Sequence, residues 1–431
     1  MSRSPLYPAL LAALSLLGGP VFSKPVTGMD EPGEGEPLRH YYWVSAMSTS
    51  YQAAKAYVQK AQAESQVNRR HEEALPNGWK IAPAGTSVEV GNLPGEAVFY
   101  AGRLIVLNNG FYPPKQNAQV SVVDPRSMTL EKNLPFHSLF PCARVGPDGD
   151  LYISGGYDFK VYRLNRRLEA PADHPDYPVN GYAAGMAFVG KHLLALTYLM
   201  VNDHGKGQWK KGEIALLDTE TGKIVDEKPT GHFPYALAWV GNKLYATLEG
   251  ENRVQVYTIE GGKLQEGASI PVGVNPTQLT ADGATLYVAD TSSDELTVID
   301  TQRDQAVTTF NLKQAGFKYG AAPTGMAVDK DKLYVSLAGW NAVAVLDKGQ
   351  GKLLGVIPTG WYPTRVYSGK SGLYILSAKG IMERRATSKD KPVPGLGKED
   401  PAYILNLLTG TVSFVPGTDI ASRLDGWTAQ V

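Results

Sequence analysis

The sequence predicts an all-β chain: a seven-bladed β-propeller of four-stranded antiparallel blades, with a short N-terminal helical extension. Three observations carry this. A Leu-Tyr-Val strand followed by one ending Val-x-Val-x-Asp returns about every 45 residues, a period that marks a repeat architecture. It is clearest at Leu286-Tyr287-Val288 with Val298-Ile299-Asp300, and at Leu333-Tyr334-Val335 with Val345-Leu346-Asp347. A proline or glycine opens each unit upstream of its leucine. The chain is also rich in the Gly (46) and Pro (29) that tight reversals need, and in the Tyr (23) that strands favour.

The repeating leucines are Leu104, Leu151, Leu193, Leu244, Leu286, Leu333 and Leu373, so seven units fill residues 84 to 416. Their openers are Pro94, Pro141, Gly185, Pro234, Pro276, Pro323 and Pro363. The third unit is the least regular, with glycine for proline and Leu193-Leu194-Ala195 lacking the tyrosine, yet Ile214 to Gly222 fits the template. Asp148-Gly149 and Asp282-Gly283 read as hairpin turns rather than as catalytic acids.

Three segments divide the chain. Residues 1–23 read as a secretory signal, with Arg3 ahead of the apolar run from Ala9 to Phe22 and a cut before Lys24. That predicts export to the periplasm, or beyond it to the exterior, with no membrane span once the signal is removed; the run is short for a bilayer. Residues 24–74 combine an acidic, Gly-rich linker with an amphipathic helix over 49–73, where Ala54, Tyr57, Val58 and Ala61 share a face. Residues 75–431 are the propeller and its C-terminal tail. A polar loop, 381–401, is inserted into the last blade.

Charge balances, 42 basic against 42 acidic residues, which argues against a duplex nucleic-acid binder. The single cysteine, Cys142, forms no internal disulfide and follows Pro141, so it reads as a small buried residue near the axis. The seven histidines lack metal-ligand spacing, and neither a G-x-S-x-G elbow nor a phosphate-binding loop occurs. No catalytic residue, metal or cofactor is assigned.

The repeats resemble the YVTN-repeat, YncE-like β-propeller family of exported bacterial proteins. More narrowly, three segments resemble the propeller half of proteins that join such a propeller to an alkaline-phosphatase-type phosphoesterase: Leu75 to Gly85, Gly360-Trp361-Tyr362-Pro363-Thr364, and Leu408 to Pro416. The phosphoesterase half is expected to be absent from these 431 residues, so its activity is not carried over. The resemblance leaves a separately encoded phosphoesterase as one candidate partner.

Propeller topology places the blade-opening loops and the second-to-third-strand loops on one face. Phe140, Tyr182, Trp209, His232, Phe233, Trp361 and Tyr362, with Tyr112, converge there and are the expected ligand or partner site. The favoured function is a non-catalytic exported binding or scaffold propeller that takes an envelope protein or a small ligand at this mouth. Two alternatives are a propeller hydrolase of the lactonase kind and a cofactor or single-stranded nucleic-acid binder. The first is disfavoured because the opening slots (Gly95, Cys142, Ala184, Tyr235, Thr277, Thr324, Thr364) supply no carboxylate. Two structural expectations complete the reading. Thr86 to Val90 should close the ring as the outer strand of the last blade, and Glu96 should pair with Arg365 near the axis.

Overall fold

A computed structural model describes residues 73–74, 80–110, 118–202, 209–210, 212–313, 320–381 and 408–431. Within them the chain forms seven antiparallel sheets arranged as blades, each running from an innermost first strand to an outermost fourth. Blade five shows the template: Pro276–Asp282, Thr285–Asp290, Glu295–Asp300 and Gln305–Asn311. Blade three departs most, as expected, with a ten-residue second strand (Leu193–Asn202) that also pairs Trp209–Lys210. The helix expected over 49–73 and the signal segment lie outside the described residues, except that Glu73–Ala74 pairs antiparallel with Lys80–Ile81.

The Leu-Tyr-Val repeat is apolar throughout because the middle strands are covered on both faces by neighbouring blades. Leu333, Val335, Ser336 and Leu337 are all fully buried, whereas five consecutive residues of the outer strand Gln305–Asn311 are exposed. The repeated tyrosine has a second task. In three blades its hydroxyl crosses to a turn of the next blade: Tyr245 donates to Thr301 O (3.1 Å), Tyr287 to Lys348 O (3.2 Å) and Tyr374 to Pro125 O (3.0 Å). In four blades the third strand ends in an aspartate that caps the following turn. Asp300 Oδ1 accepts from Gln302 N at 2.8 Å, Asp347 Oδ1 from Gln350 N at 2.7 Å and Asp218 Oδ1 from Glu220 N at 2.9 Å.

A second tier of blade-to-blade bonds runs round the axis. Ser154 Oγ donates to Ala183 O (2.6 Å), Thr197 Oγ1 to Tyr235 O (3.0 Å), Thr291 Oγ1 to Pro323 O (2.7 Å) and Thr324 Oγ1 to Pro363 O (2.8 Å). Thr364 Oγ1 completes the series across the ring closure, donating to Pro94 O at 2.6 Å. The blade-opening threonines are therefore structural groups.

The ring closes as expected. Thr86–Glu89 pairs with Thr411–Pro416, Thr86 opposite Phe414 and Glu89 opposite Thr411, so the last blade takes its outer strand from the N-terminal side. Such closure leaves no free edge between the first and last blades. A C-terminal helix, α1 (Gly417–Gln430), was not expected. It packs along the outer strand of blade six, Leu353–Pro358, burying Ile420 and Trp427. Thr428 Oγ1 accepts the edge amide of Val356 at 3.0 Å, and Leu424 lies over Gly355. That edge strand carries no charge of its own to deter mispairing, and the helix covers it.

Candidate functional site

The mouth is built on one repeated backbone device. The residue before the opening proline is left-handed in five blades: Leu93 (φ 56°), Phe233 (53°), Asn275 (56°), Ala322 (48°) and Tyr362 (65°). Such a conformation costs a non-glycine residue roughly 1–2 kcal/mol. It is held by paired bonds to the residues after the second strand. In blade seven Ala378 N donates to Tyr362 O (2.9 Å) and Lys379 N to Trp361 O (3.1 Å). In blade four Glu249 N and Gly250 N donate to Phe233 O and His232 O, both at 3.0 Å. Close approach also dictates Gly360, where a Cβ would sit 2.7 Å from Gly380 O. The mouth loops are thus fixed before anything binds.

Two groups of side chains form on this frame. On blades two to four, Phe140 meets Tyr182 edge-on at 5.2 Å and Tyr235 at 5.6 Å, and Tyr182 meets Tyr157 at 4.6 Å. Tyr182 is buried and its phenol is held well above its usual pKa by burial; burial likewise pushes Tyr235 up to about 12. On blade seven the ammonium of buried Lys379 lies 4.6 Å from the ring centre of Trp361 and 4.9 Å from that of Tyr362. Burial lowers its pKa to about 8. These ring faces offer part of the favourable field that water would otherwise supply.

Blade four adds polar groups from a short 3-10 turn, Glu249–Glu251. Glu249 accepts from Asn275 Nδ2 at 3.2 Å, and burial raises its carboxyl to about 7. Glu251 is opposite in character. Burial alone would raise it, but bonds from Arg253 and from the backbone and ring of His232 hold it at about 2. His232 Nδ1 lies 2.9 Å from Glu251 Oε1, with nearly half the imidazole side chain exposed. Blade two repeats the arrangement: His137 meets Asp158 of the turn Gly156–Asp158, and Asp158 also accepts from Tyr162.

Of the expected mouth residues, the structure gathers Phe140 with Tyr182, His232 with Phe233, and Trp361 with Tyr362. Trp209 is placed in a short strand of the expected face, its side chain outside the described part; Tyr112 lies outside the described residues altogether. Sequence reasoning missed Tyr157, Tyr235, Glu249 and Lys379 as a set. Tyr157 was findable, since Gly155-Gly156-Tyr157 breaks the strand pattern at a second-to-third-strand loop. The other three are ordinary residues by type, and only burial distinguishes them.

The axial pairing of Glu96 with Arg365 is not formed. Both side chains are buried near the axis, but Arg365 Nη1 turns to carbonyls, Thr324 O at 2.6 Å and Thr364 O at 3.0 Å. It lies over Gly325 of blade six, where a Cβ would meet its Cδ at 2.9 Å. Glu96 instead accepts from Tyr367 at 2.6 Å and has Arg144 at 3.9 Å. Reach explains the difference: the arginine stem runs back over a glycine rather than forward to blade one. Cys142 is buried beside these groups as expected, its thiol pushed up by burial.

Near the axis the described residues leave little room at one recess. Phe140, Tyr235, Arg144 and Glu96 leave about 20 Å³ among them, room for a single water. A divalent cation at the axis would find one carboxylate, already bonded to a phenol, beside a guanidinium. Among the described residues no group of three or more His, Cys, Asp or Glu could hold a metal. The donor set does not fit a resident ion.

Residues 209–379, which span the second half of blade three to blade seven, match the family model for the SMP-30/gluconolactonase/LRE-like region. No curated protein matches the chain. Among solved structures it is similar to a streptogramin B lyase (TM-score 0.53, 15% identity, 78% of this chain and 97% of that one). It is similar also to virginiamycin B lyase from Staphylococcus aureus (0.53, 13%, 77% and 99%). A third is the hydrazine synthase of Kuenenia stuttgartiensis (0.54, 18%, 68% and 94%). At these identities the likeness establishes the propeller fold, with an SMP-30/gluconolactonase-like region across its later blades.

Proposed function

We propose that the chain is an exported, non-catalytic binding propeller of the YVTN-repeat, YncE-like kind, and that its partner is a protein docked across the mouth. The observation that carries this is the rigid aromatic rim, its loops fixed by left-handed corners and paired backbone bonds. The axial recess lined by Phe140, Tyr235, Arg144 and Glu96 has room for about one water, whereas Trp361, Phe233, Tyr157 and His232 are partly exposed. Aromatic anchors on fixed loops lose little freedom on binding and dominate affinity at interfaces. A separately encoded envelope phosphoesterase fits the family resemblance as such a partner.

The test is capture from an envelope extract with wild type and Trp361→Ala in parallel. A partner retained by the wild type and weakened by about 2 kcal/mol or more in the variant supports the reading. A partner that ignores Trp361, or turnover of a lactone or phosphoester by the wild type, overturns it.

One observation favours a catalytic alternative. Glu249 near 7 and Lys379 near 8 are two mouth groups poised close to neutrality, as acid–base residues are. The SMP-30/gluconolactonase-like match adds lactone hydrolysis as the reaction to assay first. Loss of any measured turnover in Glu249→Gln would establish this alternative.

A further inference from the structure

The face opposite the mouth carries a cavity of about 580 Å³ between blades two and three. That is within the range of roughly 300–1,000 Å³ typical of small-molecule sites. Its lining comes from turns of both blades, and the chemistry is mixed. Arg163 forms the floor, with only 15% of its side chain exposed. It is bracketed by Asp150 (2.8 Å), Asp148 (3.3 Å) and Asp173 (3.3 Å), and Asp148 is further fixed by the Tyr152 hydroxyl at 2.7 Å. His174 stacks on Tyr177, ring centres 5.6 Å apart. On the blade-three wall His192 Nδ1 lies 3.1 Å from Glu220, beside Lys191.

We propose that this groove is a binding site for a neutral polyhydroxylated ligand, a short saccharide. Three lining carboxylates (Asp148, Asp173, Glu220) stand with Arg163, Lys191 and the two imidazoles His174 and His192. An anion would face the carboxylates and a cation the basic groups, so either loses beside one what it gains beside the other. A hydroxyl both donates and accepts. A ligand made of hydroxyls can use the carboxylate acceptors and the lysine and imidazole donors that both walls supply. The acceptors on the floor are already oriented by Arg163 and Tyr152, so binding need not reorganise them.

The experiment titrates the full chain with maltose, cellobiose and N,N′-diacetylchitobiose, read by saturation-transfer NMR and calorimetry. At least one should bind with a Kd of about 1 mM or tighter, and Asp173→Asn and His192→Ala should each weaken it about tenfold. The Asp173 side chain is largely exposed and that of His192 about half exposed, so neither variant threatens the fold. Trp361→Ala should leave saccharide binding unchanged, because the mouth lies on the other face. Failure of all three sugars to bind at about 10 mM overturns the assignment, as does binding indifferent to both groove variants. Tighter binding of inorganic phosphate or spermidine at the groove would overturn it too, since either would show that one charge sign prevails there.

Discussion

Glu249→Gln should stabilise the protein, and by an amount that depends on pH. The carboxyl sits in the turn Glu249–Glu251, and burial raises its pKa from 4.5 to about 7. The folded state therefore holds this proton more tightly than the unfolded chain. Its stability is greatest below the unfolded pKa and declines as pH rises from about 4.5 to about 7, where the penalty levels off. At about 1.4 kcal/mol per unit, the full penalty is about 3 kcal/mol near pH 8 and about 1 kcal/mol near pH 5. Glutamine keeps an acceptor for Asn275 Nδ2 and removes the charge. Denaturant unfolding of both proteins at the two pH values measures the difference. The variant should gain about 2 kcal/mol more at the higher pH than at the lower. An equal gain at both, or a loss at both, would refute burial as the dominant influence on this carboxyl.

Two further outcomes follow from the packing. Trp427→Ala should release α1 at a cost of about 3–5 kcal/mol to the docked helix, read as faster hydrogen exchange at the Val356 amide that Thr428 covers; unchanged exchange there would show that the helix does not protect the edge. Thr364→Val should cost about 1 kcal/mol by deleting the 2.6 Å bond to Pro94 O across the closure, and an unchanged unfolding midpoint would leave that bond without a role.

The fold was legible because the repeat is written in the strands buried on both faces. Leu286-Tyr287-Val288 and its equivalents cannot vary in character without opening a gap between blades, so the period survives in sequence. The closing strand was legible from simple alternation at Thr86 to Glu89 and the need for an outer partner. Helix α1 was missed because its apolar residues, Ile420, Leu424 and Trp427, are few and spaced among polar ones; nothing local says which edge they cover. The Glu96–Arg365 pairing failed for a related reason. Position along a first strand fixes where a Cα lies relative to the axis, but a long side chain chooses its direction from the space around it. Gly325 opens that space on the blade-six side, and carbonyls Thr324 O and Thr364 O wait there.

The same distinction separates the axis from the mouth. At the axis, Thr324 and Thr364 are committed to carbonyls of the next blade, and Glu96 to Tyr367. Asp290, fully buried, is raised to about 6 by burial, yet it is tied to Thr297 by its hydroxyl at 2.6 Å and its amide at 3.0 Å. Its shift is that of a brace between strands, not of a reactive group. Glu249 and Lys379 differ because they sit on loops whose left-handed corners, Phe233 and Tyr362, hold them at the rim beside partly exposed aromatic and imidazole groups. A perturbed group on a fixed loop at an open face can meet a partner; one inside a blade cannot. The axis of this propeller is the seam that holds seven blades in a closed ring.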